Sequence, residues 1–399
     1  MLPSEENELL TRTGPGTPMG RLLRRYWIPA LLSDEIPGPD CPPVQVRLLG
    51  EELVAFRDSR GRIGLLDEHC SHRGTSLFYG RNEACGLRCI YHGWKYDFEG
   101  KVLETPAEPA GSNLGGKVRH KAYPCREVAG LIFAYMGPRE KMPLLPEYPW
   151  TRLPTGHTFV TKALQECNYL QGLEGDCDSS HLSYLHSSNY DLYKRHDRAP
   201  ALIAEETEFG VRMVAIRKAG PDTDYVRITN FLMPLTGHVS AKSNRVHSWA
   251  PIDDAHSWKY SFTFGSNGKP VEEEEKRALT GDAGPDYRKL RNLGNDYLQD
   301  RRLQKTGTYT GIEGFLAQDS CVTESMGPVC DRTREHLGKS DVAIIAIRKR
   351  LLGAVLSLQD GMEPPCLITE PERVFRRCIS TGAMLPSGTS WRQLLEDRR

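Results

Sequence analysis

Two short cysteine–histidine pairs constrain this chain more than any other feature: Cys70-Ser71-His72 and Cys89-Ile90-Tyr91-His92, with sixteen residues between them. Thiolate and imidazole are the donors that proteins offer to zinc or to iron–sulfur clusters. Four of them serve one centre only if two tight loops meet at a point. Each pair falls between short β-prone runs, 63–66 before the first and 96–102 after the second. The loops are therefore expected at the tip of a small β domain. The donors alone fit a structural Cys2His2 zinc site. They also fit a [2Fe–2S] centre with one iron on Cys70 and Cys89 and the other on His72 and His92. Exchanging two thiolates for neutral imidazoles lowers a cluster's negative charge and raises its potential, which suits an electron relay.

A second constellation lies about a hundred residues later, in Asp178-Ser179-Ser180-His181-Leu182-Ser183-Tyr184-Leu185-His186. On a helix, Asp178 and His181 share a face. Two imidazoles with a distant carboxylate are the ligand set of a non-haem iron(II) site that keeps coordination positions open. Taken alone, His-x4-His is more often an ordinary pair of histidines near a turn.

The flanks carry more. His69-Cys70-Ser71-His72-Arg73-Gly74 and Cys89-Ile90-Tyr91-His92-Gly93-Trp94-Lys95-Tyr96 resemble the Rieske box, C-x-H-R-G and C-x-Y-H-G-W. Ser71 stands where that family most often has proline, and Cys85 is out of register with the motif. A Rieske motif followed by D-x-x-H-x4-H resembles, over nearly the whole chain, the catalytic α subunit of Rieske non-haem iron ring-hydroxylating oxygenases. Residues 168–176, residues 318–328, Asp331-Arg332-Thr333 and Glu335-His336-Leu337-Gly338 are similar to the phthalate dioxygenase branch.

The resemblance implies an α+β fold. Residues 1–148 would be an N-terminal arm and an all-β Rieske domain. Residues 149–399 would be a helix-grip catalytic domain, with a curved antiparallel sheet against a long helix. It implies Asp319 as the third ligand of the mononuclear iron beside His181 and His186, with Glu324 as the alternative carboxylate. Asp178 would be a bridge rather than a ligand, joining His181 to His92 of the partner subunit in a homotrimer or stacked trimers.

The implied reaction is hydroxylation, in the main dihydroxylation, of an aromatic, carboxylate-bearing substrate with dioxygen, as in aromatic hydrocarbon catabolism. NADH would act through a separate FMN/ferredoxin-type reductase, because the chain has no glycine-rich nucleotide loop. Oxidative O- or N-demethylation uses the same metals. A Rieske electron carrier or a zinc-stapled binding protein would lack the second centre. An anionic substrate needs a cation, and Arg217, Arg227 and Arg245 lie on predicted strands of the catalytic half. Alternation does not say which of them point inward.

Composition excludes other classes. Lys+Arg and Asp+Glu are 52 each, so neither a nucleic-acid nor a membrane surface is expected. No apolar run approaches the roughly 18 residues of a membrane span. The acidic N-terminus lacks a signal-peptide core, so the reading is cytoplasmic, and the 11 cysteines suit reduced thiols and metal ligands. A hairpin signal stands at Asp58-Ser59-Arg60-Gly61, and strands are predicted at 131–135, 211–217, 225–231, 245–249 and 258–264. In the last, Trp258, Tyr260, Phe262 and Phe264 alternate with Lys259, Ser261 and Thr263, the pattern of a half-buried strand. Residues 272–279 read as a solvated charged helix within a polar stretch from 265 to 311. Residues 341–359 read as a core helix, N-capped by Ser340 and packed through Val342, Ile345, Leu352 and Val355.

Overall fold

The computed structural model describes residues 2–154, 156–188, 198–240, 244–265, 269–280, 282–370 and 378–396. After two arm helices, α1 (Ser4–Thr11) and α2 (Pro18–Leu23), short alternating runs build three small antiparallel sheets. β1 (Trp27–Leu32) pairs with β10 (Leu131–Tyr135), which pairs with β9 (Cys125–Val128). The second sheet is β2 (Val44–Leu48), β3 (Glu51–Arg57) and β4 (Ile63–Asp67). The third is β5 (Arg81–Glu83), β6 (Gly86–Arg88), β7 (Lys95–Tyr96) and β8 (Val102–Glu104). The expected hairpin at Asp58 joins β3 to β4: its carboxylate accepts from the backbone N–H of Arg60 and Arg62, both at 2.9 Å. A small core of Val54, Phe56, Leu66, Leu77, Leu87, Trp94 and Tyr96 fills the space between the second and third sheets. Cys70 and Cys89 are part of it.

The C-terminal half is built on one large antiparallel sheet. Its strands are β11 (Thr158–Gln165), β12 (Ala201–Thr207), β13 (Gly210–Gly220), β14 (Thr223–Leu232), β15 (Thr236–Ser240), β16 (Asn244–Pro251) and β17 (Ser257–Phe264), in the order β11-β17-β16-β15-β14-β13-β12. β18 (Thr381–Pro386) adds to β14 alongside β15. The helices around the sheet include α3 (Tyr169–Cys177), α4 (Glu273–Thr280), α5 (Phe315–Glu324) and α6 (Val342–Gln359). α4 falls within the expected polar stretch, of which residues 266–268 and 281 lie outside the described residues. Among the described residues, no helix is long and apolar enough to cross a membrane.

α6 packs on β12, β13 and the arm helices through a face that holds Val355 and, partly buried, Leu352 of the expected positions but turns Ile345 outward. Ala343, Ile344, Ile347, Leu351, Ala354 and Val355 are buried, and Ile345 is 46% exposed. In so apolar a helix several stripes fit a 3.6-residue period equally well, and tertiary packing chooses among them. Ser340 is not the cap. Asp341 occupies that position, and the Ser340 hydroxyl donates to its carboxylate at 3.0 Å.

A single apolar core runs from the arm through β1 and β10 to α3, α6 and the large sheet. The arm is thus packed with the C-terminal half: Leu2 N–H donates to Arg332 O and the Asn7 amide to Cys330 O, both at 3.1 Å. An ion cluster pins this junction. The Glu174 carboxylate of α3 accepts from Arg332 at 2.9 Å and Arg348 at 2.6 Å, and Arg348 also reaches Glu335. Burial alone would raise the Glu174 pKa, but the two guanidiniums outweigh it and hold it below the usual range. The Arg332/Glu335 signature is therefore structural. Removing one member of a buried pair strands its partners, so Glu174→Ala is expected to cost about 3–5 kcal/mol in urea unfolding. Because the folded pKa is depressed, the wild-type contribution is complete above about pH 4.3, the unfolded value, and fades as pH falls below it.

Candidate metal centres and active-site cavity

The two Cys–His loops have matching backbones. Gly74 N–H donates to Cys70 O at 2.8 Å and Gly93 N–H to Cys89 O at 3.1 Å. Cys70 N–H reaches Thr75 O at 2.9 Å and Cys89 N–H reaches Trp94 O at 2.8 Å. Both turns close through glycines at positive φ, +74° and +75°, where a side chain would be strained. This brings the His72 and His92 rings to 4.6 Å between centroids, edge to face, on the half-exposed side of the tip. The two cysteines lie beneath, each 3% exposed, and the Tyr96 hydroxyl is 3.0 Å from Cys70 Sγ. Burial, and then Cys70 beside it, pushes the Cys89 thiol up. Two buried sulfurs beneath two half-exposed imidazoles are the donor set that fits an iron cluster. Ser71, in the place of the family's proline, is anchored to a buried histidine. Its hydroxyl is 2.7 Å from Nδ1 of buried His120, whose Nε2 lies 2.9 Å from Asp67 O. Cys85 sits in the β5–β6 turn.

The Asp178–His186 segment is not one helix. α3 begins at Asn168, whose side chain accepts from Leu170 N–H, and ends at Asp178, which is extended (φ −80°, ψ 122°). The Asp178 carboxylate then accepts from Ser180 N–H at 2.7 Å and His181 N–H at 3.2 Å, starting a 3-10 turn over His181–Ser183. An aspartate that bonds its own backbone two residues on offers the chain an alternative to continuing the helix. The same carboxylate lies 3.3 Å from His181 Nδ1.

The next turn brings His186 to within 5.1 Å of the His181 ring, centroid to centroid. α5 supplies the rest. Gln318 Oε1 accepts from His186 Nδ1 at 2.7 Å, and Asp319 Oδ1 lies 2.9 Å from His186 Nε2. The Gln318 amide donates to Ile312 O at 2.8 Å, which fixes its carbonyl toward the histidine. Both imidazoles therefore turn Nδ1 to a protein partner and leave Nε2 for a metal. One donor atom from each of His181, His186 and Asp319 lies within 4.8 Å of the others. Two ligands at right angles on bonds of about 2.1 Å stand roughly 3.0 Å apart, so the 2.9 Å separation fits a common ion. Burial works to raise the Asp319 pKa, but facing His186, with Lys259 and His181 further off, holds the carboxylate well below its usual range.

Glu324 is committed elsewhere. It is 1% exposed, pairs with Lys289, and accepts from Tyr297 OH at 2.5 Å and Glu166 N–H at 2.8 Å. Replacing Gln318 by leucine frees the His186 ring to rotate. It is expected to weaken iron retention against a chelator by about 10–100-fold with the Rieske absorbance intact.

The three donors open into a cavity of about 470 Å³, lined among others by Asp176, Arg227, Arg245, His247, Lys259 and Phe315. That is room for a small aromatic ligand. Of the three arginines singled out by sequence, two line it. Arg227, on β14, donates to Ser240 O at 3.2 Å, and Arg245, on β16, faces Glu275 of α4 at 3.6 Å. Arg217 does not line the cavity. It is fully buried and donates to Ser179 O and, at 3.4 Å, to Ser183 Oγ, bracing the loop that carries His181.

Three cavity residues were missed: Asp176, His247 and Lys259. Asp176 accepts from His247 Nδ1 at 2.7 Å and Trp249 Nε1 at 2.5 Å. Burial lowers the His247 pKa against the pull of Asp176. Trp249 comes close to α3 because residue 172 is glycine: a Cβ there would lie 2.1 Å from the indole. The polar face of β17 is not solvated, since Lys259 is 5% and Thr263 1% exposed. The sheet is covered on both sides: Tyr260 packs toward β1, its hydroxyl donating to Ala30 O at 2.8 Å, and Lys259, Ser261 and Thr263 face the cavity. α4 is likewise part of the cavity wall, through Glu275 and Leu279, rather than a wholly solvated helix.

A Cys2His2 β domain joined to a sheet-and-helix domain with a 2-His-1-carboxylate site defines the terminal oxygenases that pass electrons from a Rieske cluster to a mononuclear iron. Family models agree, matching the Rieske [2Fe-2S] domain at residues 26–124 and the LigXa C-terminal domain like family at residues 134–398. The chain is 40% identical to the phthalate 4,5-dioxygenase oxygenase subunit of Pseudomonas putida, over 98% of this chain and 94% of that one. It is 35% identical to the 3-chlorobenzoate-3,4-dioxygenase oxygenase subunit of Comamonas testosteroni, over 99% and 98%. Its fold is also that of the Pseudomonas putida CBB5 NdmA QL mutant solved with caffeine, with TM-score 0.63 at 19% identity over 89% of this chain and 98% of that one. The chain belongs to the Rieske non-haem iron ring-hydroxylating oxygenases, as the catalytic subunit of a phthalate dioxygenase-like system. It is an oxidoreductase using a Rieske [2Fe–2S] cluster and mononuclear iron, with NADH electrons supplied through a separate electron-transfer partner.

Proposed function

We propose that this oxygenase hydroxylates an aromatic carboxylate at an iron held by His181, His186 and Asp319, with electrons from a cluster held by Cys70, His72, Cys89 and His92. The observation that carries the substrate class is the cavity: the three donors open into a space of about 470 Å³ whose wall holds Arg227, Arg245 and Lys259. Two relatives are named for phthalate and 3-chlorobenzoate, both benzene carboxylates. When bound, iron in such a site activates dioxygen, and the cluster supplies electrons one at a time. The protein's own part is orientation. Asp178 and Gln318 set the two imidazoles, the cationic wall holds the anionic end of the substrate, and Phe315, with its ring 4.7 Å from His186, offers an aromatic face.

In this reading residues 1–148 form the electron-receiving unit and 149–399 the oxygenating one, and the subunits form a cytoplasmic homotrimer or stacked trimers served by an FMN/ferredoxin-type reductase. Asp178 bridges His181 to His92 of the partner subunit. Exposed Tyr79, Ile90 and Tyr91 at the cluster tip and Tyr184 beside His181 give the two surfaces apolar contact area.

The test is substrate-dependent consumption of NADH and oxygen with a surrogate reductase, over a panel including phthalate, 3-chlorobenzoate and methoxybenzoates. A carboxylate-dependent rate with a hydroxylated or cis-dihydrodiol product is expected. Formaldehyde release would mark demethylation instead, and no response to any aromatic acid would overturn the reading.

A further inference from the structure

Lys259 is a buried cation that makes no ion pair among the described residues. Its chain position is fixed by strand pairing, opposite Trp249 on β16 and Ala163 on β11, and it points into the cavity. The residue is 5% exposed. Its ammonium lies 4.9 Å from the centre of the Trp249 ring, a cation–π contact, and among the described residues it donates no hydrogen bond and makes no ion pair. A desolvated ammonium is costly unless paired and hydrogen-bonded, so its three donors call for a partner.

The carboxylates around the cavity are occupied. Asp176 is held by His247 and Trp249, Glu275 faces Arg245, Asp282 lies 3.9 Å from Arg291, and Asp319 faces His186. Arg227 differs from Lys259 in that its guanidinium is already hydrogen-bonded to Ser240 O and Ser179 Oγ.

We propose that Lys259 is the substrate-binding residue that takes a ring carboxylate of the substrate, completing its hydrogen bonding when the cavity fills. The proposal rests on the aromatic-carboxylate reading above and names the contact that reading leaves open.

Calorimetric titration of the anaerobic, iron-loaded holoenzyme with phthalate and with its neutral dimethyl ester tests it. Truncating one side of a buried charge pair is expected to weaken phthalate binding about a hundredfold in Lys259→Met, with dimethyl phthalate unaffected and Lys259→Arg restoring most of the loss. Should Lys259→Met not fold, Lys259→Gln carries the same comparison. Equal weakening of both ligands would reduce Lys259 to a packing role. Loss of iron with the cluster intact would make it a partner of Asp319 alone. Unchanged phthalate binding would remove it from the site. Each of these overturns the proposal while leaving the substrate class standing. Failure of wild-type protein to bind phthalate, 3-chlorobenzoate or any other aromatic acid overturns both.

Discussion

His181→Ala and His186→Ala are each expected to abolish product formation while the visible spectrum of the Rieske cluster stays as in wild type. The separation follows from the architecture. The cluster loops grow from the small sheets β4 to β7, whereas the two histidines hang on the turn after α3, in a different part of the fold. Each histidine would supply one Nε2 to a site that, among the described residues, gathers three protein donors. Outer partners of metal ligands are worth about 10–100-fold in affinity or activity, and losing a ligand itself exceeds that range. Asp319→Ala should behave the same way. Normal turnover in Asp319→Ala would move the ligand role to another carboxylate, although Glu324 is already bound by Lys289 and Tyr297. Metal analysis alongside the spectrum reads both centres: about three irons per chain in wild type and about two in the variants.

Asp178→Asn should keep both metals and the assembly yet transfer electrons slowly. Asp178 lies 3.3 Å from His181 Nδ1, and its side chain is 27% exposed, so it can accept from one imidazole of its own chain and still reach another. Burial works to raise its pKa, and the His181 hydrogen bond with the Ser180 and His181 N–H groups brings it down, so it meets a second N–H as a carboxylate. An asparagine keeps the shape but has one acceptor oxygen and no charge, and charge-assisted hydrogen bonds are roughly twice as strong as neutral ones. Single-turnover oxidation of the reduced cluster, with substrate and oxygen present, should slow by about 10–100-fold. Wild-type rates in Asp178→Asn, or a stable monomer with full activity, would show that the electron takes another route.

The parts of this protein legible in its sequence were those where local chemistry leaves few choices. The Cys–His loops demand glycines at positive φ, and Gly74 and Gly93 stand where the motif puts them. β10 spans residues 131–135 as its apolar run predicts. The parts that were not legible are those where two environments write the same pattern. Lys259, Ser261 and Thr263 alternate with aromatics as a solvated strand face would, because a polar cavity and water ask for the same residue types. A sign lay in the neighbouring strands: Arg245 and His247 on β16 and Thr161 on β11 repeat the polar face across the sheet. Arg217 and Arg227 could not be told apart in sequence because their roles depend on which loop each meets. The first braces Ser179 and Ser183, and the second opens on the cavity. Spacing alone does not reveal that Asp178 bonds its own backbone and ends α3, so His181 lies on a 3-10 turn rather than on a continuing helix.

The central claim is that electrons stored in the Cys70/His72/Cys89/His92 cluster are spent on dioxygen at the His181/His186/Asp319 site, beside an aromatic carboxylate. The most direct measurement is a single turnover of the reduced holoenzyme with ¹⁸O₂ and the aromatic acid that drives the strongest oxygen uptake, read by mass spectrometry and by the cluster spectrum together. The cluster is expected to reoxidise only when substrate is present, and the hydroxylated product to carry ¹⁸O. A cluster that reoxidises at the same rate without substrate, or a product free of the label, would contradict the claim.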